Sequence, residues 1–289
     1  MRLLGLLLGL LALGGCKLPE PVRVMSFNVR YGTAADGPNR WELRRAAVFE
    51  LIRAARPDVI GLQEVLAFQA DELRAALPRY GLVGAGRDDG RRRGEMVPIM
   101  YDRKRLELVD YGHLWLCEQP DRPGMKGWDA ACPRMATWTA LRFRRNPLLT
   151  IWVINTHFDH RGPRARLESA RLLRKLTDSL GGKPIIVTGD FNCPPGSPPH
   201  EVLTAETGNL AALHDAWQAL ELPEDGAGTF NGFAGRRCGP RIDWILFSRR
   251  FEAVRAEIIN RQVQGRWPSD HFPVIVELRL LPMTDTGVL

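Results

Sequence analysis

What this chain has little of narrows the reading first. Cysteine and histidine number only five and six among 289 residues. No two cysteines stand at the Cys-x-x-Cys spacing of a structural zinc site, which argues against cysteine-held metal. Low-complexity tracts are missing, as expected of a globular chain rather than a disordered one. No internal repeat supports a solenoid. The one long apolar run, Leu3 to Leu13, is too short to cross a bilayer. Acidic residues are outnumbered, 33 against 40 Lys and Arg, leaving a formal charge of +7 and a pI near 9.5. That excess favours phosphorylated or polyanionic partners, although a generally arginine-rich composition gives the same number.

The apolar run has the length of a signal-peptide core and follows Arg2. It ends in LGGC, a small-residue pair directly before cysteine, which resembles a bacterial lipoprotein cleavage box. Residues 1–15 are therefore expected to be a signal peptide and Cys16 the lipidated first residue of the mature protein. Residues 16–21 would form a short tether that holds an exported protein at the cell-envelope membrane. Four cysteines remain: Cys117, Cys132, Cys193 and Cys238. In an exported chain they permit two disulfides, and pairing Cys117 with Cys132 and Cys193 with Cys238 is the expectation.

Apolar runs and amphipathic stretches alternate along the rest. VRVMSFNV alternates with period two, placing Val22, Val24, Ser26 and Asn28 on one face and Met25, Phe27 and Val29 on the other. WELRRAAVFELIRAAR puts Trp41, Val48, Leu51, Ile52 and Ala55 on one helical stripe and stops at Pro57. DVIGLQE reads as a buried strand, followed by a helix from Phe68 to Leu77. Strands are predicted near VPIMYD, LELVDYG, TWTALRF, LLTIWVINTHF, PIIVTGDFN, IDWILFS, FEAVRAEII and FPVIVELRL, with a helix from Arg164 to Leu180. Many strands and few, widely spaced helices imply sheets packed together with helices outside. The Gly/Pro-rich stretch from Cys117 to Arg134 is expected to be a long functional rim or a disordered loop.

Six short polar signatures sit at the ends of these strands: SFN (Asn28), LQE (Glu64), THFD (His157, Asp159), GDFN (Asp190, Asn192), RID (Asp243) and SDH (Asp270, His271). Carboxylates, carboxamides and imidazoles delivered from many strand ends suit a hard divalent cation, Mg²⁺ or Mn²⁺, together with a phosphate group. Strand parity puts Asp190 and Asn192 on one side, where Asp190 is placed to deprotonate a water and Asn192 to donate to a phosphate oxygen. An Asx turn closing the strand is the plainer alternative. His157 could serve the leaving oxygen, or be a satisfied core histidine. Asp243 lies in an apolar run and needs a partner, for which His271 is the natural choice. Glu64 has the same need, met by a cation beside Asn28 or by the N-terminus of the following helix.

The ordered set resembles the endonuclease/exonuclease/phosphatase superfamily of DNase I-like, metal-dependent hydrolases over almost all of the chain after Pro21. DGPNRW, GEMVPIMYDR and the Cys117–Arg134 loop resemble a bacterial branch related to nocturnin-like deadenylases. The resemblance implies an α/β fold, a four-layer α/β/β/α sandwich of two mixed β-sheets packed face to face with helices outside, over residues 22–282. A C-terminal tail, 283–289, would follow. It implies Asn28 and Glu64 on the catalytic cation, with Asp270 assisting or holding a second. Asp190 would activate water, Asn192 and His271 grip the phosphate, Asp243 orient His271, and His157 face the leaving group. Arg30, Lys126, Trp128 and Arg134 are candidate substrate contacts, with Arg40 and Trp41 also near the rim. The implied activity is a phosphodiesterase or nuclease, or alternatively a phosphomonoesterase or phospholipase-type hydrolase, on a phosphorylated substrate such as a nucleic acid or nucleotide. A phosphate-binding lipoprotein without catalysis is the third possibility. No protein partner is expected.

Overall fold

The computed structural model describes residues 20–206 and 212–282. Cys16, the signal segment and the 283–289 tail lie outside the described residues. The chain begins β1 (Val22–Asn28), α1 (Trp41–Ala55), β2 (Val59–Gln63), α2 (Ala67–Ala76), β3 (Tyr80–Val83), β4 (Ile99–Asp102), β5 (Leu106–Trp115). It continues with β6 (Met135–Phe143), β7 (Asn146–His157), α3 (Pro163–Ser179), β8 (Ile185–Asp190), α4 (Pro198–Thr204), β9 (Leu213–Asp215). Then follow α5 (Ala216–Ala219), β10 (Asp243–Ser248), β11 (Phe251–Ile258) and β12 (Val274–Leu280).

These strands form two six-stranded sheets, ordered β11-β12-β1-β2-β4-β3 and β5-β6-β7-β8-β10-β9. Each is mixed: β1 runs parallel to β2 and β7 parallel to β8, while their other pairings are antiparallel. The buried side chains fall into layers. Val24, Val59, Val153, Ile186 and Ile245 meet between the sheets. Met25, Phe27, Ile60 and Leu62 face away from them, against Val48, Leu51 and Ile52 of α1 and Leu73 of α2. Ile154, Val187 and Leu246 pack against Ala170 and Leu173 of α3. The fold is the DNase I-like four-layer sandwich that the family resemblance implies. No helix among the described residues is long and apolar enough to cross a membrane.

Period-two geometry sets a gradient along the space between the sheets. At one end it is dry: Val22, Val24, Val59 and Val153 are buried and apolar. One step further the same faces carry Ser26, Gly61, Gln63, Asn155 and Thr188. Here Gln63 Nε2 donates to Asn155 Oδ1 at 2.7 Å, and Thr188 Oγ1 donates to the same oxygen at 3.0 Å. Asn155 Nδ2 in turn donates to the carbonyls of Leu62 and Pro98 at 2.7 and 3.0 Å. All but the Thr188–Asn155 bond cross from sheet to sheet, and together they satisfy groups that would be costly to bury alone. One step further still, the faces carry Asn28, His157, Asp190 and Asp243.

Two expectations are corrected. Cys117, Cys132, Cys193 and Cys238 are all free thiols. Cys117 is buried with Val97, Trp115 and Met135, and its thiol donates to the Gln119 carbonyl, while Cys132 stands 3.9 Å from Asp159. Cys193 belongs to the α3-side core and Cys238 is exposed, so neither expected pair shares an environment. For Trp41 the rim reading gives way to the packed one that its place on the helical stripe implies: its side chain is buried and Nε1 donates to Glu72 at 2.7 Å.

Candidate active site

At the charged end of the sandwich the six signatures converge. Asn28 closes β1, and its Nδ2 lies between two carboxylates, donating to Glu64 Oε1 at 3.0 Å and Asp190 Oδ2 at 2.9 Å. Asn28 Oδ1 accepts from the Arg30 N–H at 2.9 Å, and Glu64 Oε2 accepts from the Tyr31 N–H at 3.0 Å. Asp190 ends β8 and pairs in register with Asp243, the first residue of β10. His271 Nδ1 bonds Asp243 Oδ2 at 2.9 Å, while its Nε2 stands 3.7 Å from Asp190 Oδ2. Ser269 Oγ donates to the Asn28 carbonyl at 2.7 Å and to Asp270 Oδ1 at 3.1 Å, fixing the SDH segment against the end of β1.

Three of these strand-end residues have left-handed backbone: Arg30 (φ 58°), Glu64 (φ 62°) and Asn192 (φ 51°). Non-glycine residues are held there only by surroundings that over-determine them. For Asn192 the anchor is aromatic: Phe191 stacks on Trp244 at 4.2 Å and meets Phe158 edge-on at 4.9 Å. For Arg30 it is Arg44, a buried guanidinium that donates to the carbonyls of Val29, Arg30, Asn39 and Pro268. Burial pushes the Arg44 guanidinium down to about 10, still charged at neutral pH. Arg44 lies three residues after Trp41 and four before Val48, so periodicity puts its position on the buried stripe, although an arginine there is unexpected.

The electrostatics separate the titratable groups. Burial and the charge of Asp243 push Asp190 up to about 7. Burial acts the other way on His271, but Asp243 and Asp190 together overcome it and carry the imidazole up to about 10. His157 is driven well below its ordinary range by burial and by Arg134 and Arg87. It is neutral, with Nε2 3.0 Å from Asn192 Nδ2 and 3.5 Å from Asp190 Oδ2. As an acceptor from Asn192, that nitrogen has no proton to give, so His157 orients Asn192 rather than acting as an acid there. Asn192 Nδ2 also donates to the Phe158 carbonyl at 3.0 Å, so a phosphate oxygen must displace one of these acceptors to receive its amide.

The donors fit a hard divalent ion at Glu64 and Asp270. Burial and the charge of Glu64 both raise Asp270, and a cation between the two acids removes that conflict. Asn28 Nδ2 faces both carboxylates, and its Oδ1 accepts one hydrogen bond, from Arg30 N–H, which leaves a lone pair on that oxygen. Asp190, Asp243 and His271 also lie within ligand distance of one another, but the Asp243–His271 bond already uses that imidazole nitrogen.

A cavity of about 870 Å³ opens over these groups, lined by Arg30, Glu64, Arg134, Asp190, Asp270 and His271 among others. Lys126 and Trp128 do not line it; Trp128 borders a separate hollow of about 510 Å³ beside α3. Arg40 is absent from the lining as well. Sequence reading passed over Arg87 and Glu95, bidentately paired at 2.8 and 2.9 Å on one wall, and over Phe230, 50% exposed and edge-on to His271 at 5.2 Å. The pattern R…E in GRDDGRRRGE and the aromatic in GTFNGF were the available signals.

A model of the Endonuclease/Exonuclease/phosphatase family matches residues 25–271. An endonuclease/exonuclease/phosphatase structure from Bacteroides vulgatus is similar at 36% identity and TM-score 0.83, covering 91% of this chain and 100% of that one. A mannosyl-6-phosphatase of Bacteroides thetaiotaomicron is similar at 32% identity and TM-score 0.80, covering 89% and 99%. Drosophila melanogaster nocturnin is 24% identical over 94% of this chain, which spans 49% of that protein's length.

Proposed function

The chain belongs to the endonuclease/exonuclease/phosphatase family, a family of phosphoester hydrolases, and on that premise we propose that it is a divalent-metal-dependent phosphomonoesterase of small phosphorylated substrates, sugar phosphates among them. The observation that carries this reading is the cavity. It is bordered by the Arg134 end of the long loop and by Arg30, and Asp190 and His271 line it, with Asp243 buried behind His271. A bounded hollow with cationic walls suits a compact phosphorylated molecule better than an extended strand of nucleic acid.

In this reading Asp190, poised near neutrality, takes the proton of a water attacking phosphorus in line, while the opposite P–O bond breaks and the departing alcohol oxygen takes a proton from water in the open cavity, with no covalent enzyme intermediate. His271, kept cationic by Asp243, stabilises the negative charge that grows on the phosphoryl oxygens. Glu64 and Asp270 would hold Mg²⁺ or Mn²⁺, the hard ions their oxygens favour. When bound, the ion would offset charge on the same phosphoryl group. Arg134 supplies a further positive wall. It is buried, its Nε lies 3.4 Å from Asp159 and its Nη2 2.9 Å from His160 Nδ1, and its Nη1 has no partner among the described residues.

A phosphodiesterase reading has its own observation, since the exposed face of Phe230 beside His271 suits a stacked base. The deciding experiment compares p-nitrophenyl phosphate, a hexose 6-phosphate, bis-p-nitrophenyl phosphate and single-stranded DNA with Mn²⁺. The expected order puts both monoesters first, and Asp190→Asn lowers kcat on them by about 10²-fold or more. Faster turnover of the diester and DNA, or near-normal turnover by the variant, would overturn the reading.

A further inference from the structure

We infer that the hollow of about 510 Å³ beside α3 is a second binding site, which takes an uncharged saccharide on the face of Trp128. The hollow shares no lining residue with the catalytic cavity, so it is a separate site whatever phosphoester is hydrolysed there.

One wall is a loop that presents an indole. Trp128 has left-handed backbone (φ 52°), a conformation that bulky side chains rarely adopt. Its chain neighbours hold it there. A Cβ at Gly127 would lie 2.4 Å from the Leu116 carbonyl oxygen, so glycine alone lets the loop lie this close to Cys117. The Gly127 carbonyl accepts from the Ala130 N–H at 2.9 Å. Asp129 accepts from the Ala165 and Arg164 N–H groups at 2.6 and 3.2 Å, which fastens the loop to the first turn of α3. The indole so placed is only partly buried, and among the described residues it has neither a stacked ring nor a hydrogen-bond partner for Nε1.

The opposite wall is one stripe of α3. Glu168, Arg171, Leu172 and Lys175 stand at helical spacing and all line the hollow. The charges are balanced, although the whole chain carries +7. Glu118 and Glu168 offset Arg171 and Lys175, and the buried Arg174 is answered by Asp178 at 3.0 Å. Arg171 donates to Glu168 at 2.6 Å, and Glu118 accepts from the Trp128 N–H at 3.3 Å. The hollow therefore offers one flat apolar face, a rim of donors and acceptors, and no net charge. A sugar ring has that complement: a face of C–H groups to lie on the indole, and hydroxyls around its edge for the carboxylates and guanidinium. A polyanion does not, because Glu118 and Glu168 would oppose its repeated phosphates. The volume falls within the roughly 300–1,000 Å³ of small-ligand sites.

The test is saturation-transfer NMR on the purified full chain with the methyl glycosides of glucose, galactose and mannose, and with adenosine as a flat uncharged ligand of another class. A chelator keeps the catalytic centre free of metal, so the result does not depend on the hydrolase reading. At least one glycoside should bind, with an affinity insensitive to salt, as an uncharged ligand requires. Trp128→Gly, which suits the left-handed backbone while removing the ring, should weaken that binding about tenfold or more. Its turnover of p-nitrophenyl phosphate with Mn²⁺ should equal that of the wild type. No glycoside binding, tighter binding of adenosine, or binding unaffected by Trp128→Gly would overturn the assignment. If Trp128→Gly does not fold, Arg171→Ala at an exposed helical position decides, and unchanged binding by that variant would overturn it equally.

Discussion

Asp243 shows how much a single buried residue can set. Its side chain is fully buried at the charged end of the space between the sheets, and one of its oxygens has no partner among the described residues. The other oxygen holds His271 as an imidazolium against the pull of burial. His271 therefore keeps its proton below about 10 and loses it as pH rises through that value. Removing the Asp243 charge shifts the loss toward neutral pH. For Asp243→Asn the alkaline limb of the kcat/KM profile should move down by more than one pH unit, with kcat at pH 8 reduced about 10²-fold. An unchanged alkaline limb would mean that Asp243 acts only in packing. This dyad was legible in the sequence because a carboxylate in the apolar run of IDWIL demands a partner. The contacts of Asn28 and Arg44 were not, because both are decided by which atom faces which neighbour, and pattern carries no such direction.

Whole elements were easier to read than their ends. The long periodic ones, α1, α3, β7 and β12, lie within a residue or two of where periodicity puts them, because burial on one face dominates their energetics. The short ones, β3, β9, α4 and α5, carry too few turns or alternations to register and exist through their neighbours. The left-handed turns at Arg30 and Glu64 were invisible too, since nothing in those side chains favours positive φ, whereas asparagine at 192 is among the non-glycine residues that adopt it most readily. β2 shows what an element owes to a single position. A Cβ at Gly61 would lie 2.0 Å from Thr188 Oγ1 and 2.5 Å from Asn155 Oδ1. Both belong to the polar layer that joins the sheets, so Gly61→Ala must break bonds as well as displace atoms. It should destabilise the protein by about 3 kcal/mol, the upper end for overpacking, as measured by urea denaturation. A cost under 0.5 kcal/mol would show that the layer yields freely.

On the scale of the whole molecule, stability at low pH depends on buried ion pairs as well as on the core. Burial alone would raise Asp215, but His200 and Arg241 more than reverse this and hold it low. Asp159 is likewise held at about 2: burial opposes it, and the N–H groups of Gly162, Arg161 and Ala131 prevail. Folded values below the unfolded ones mean stability that is present above about pH 4 and lost as pH falls through the folded values. The gap in Tm between wild type and Asp215→Asn should therefore narrow steadily between pH 5 and pH 3. A constant gap would show that the pairing contributes no pH-dependent stability.

The gradient between the sheets also gives the molecule a front and a back. β1 enters at the dry end with Val22 and reaches the catalytic end at Asn28, a run of about 20 Å at the usual rise per strand residue. The start of β1 therefore lies behind the core, and the mouth looks the other way. A tag joined at Val22 would thus leave the opening clear.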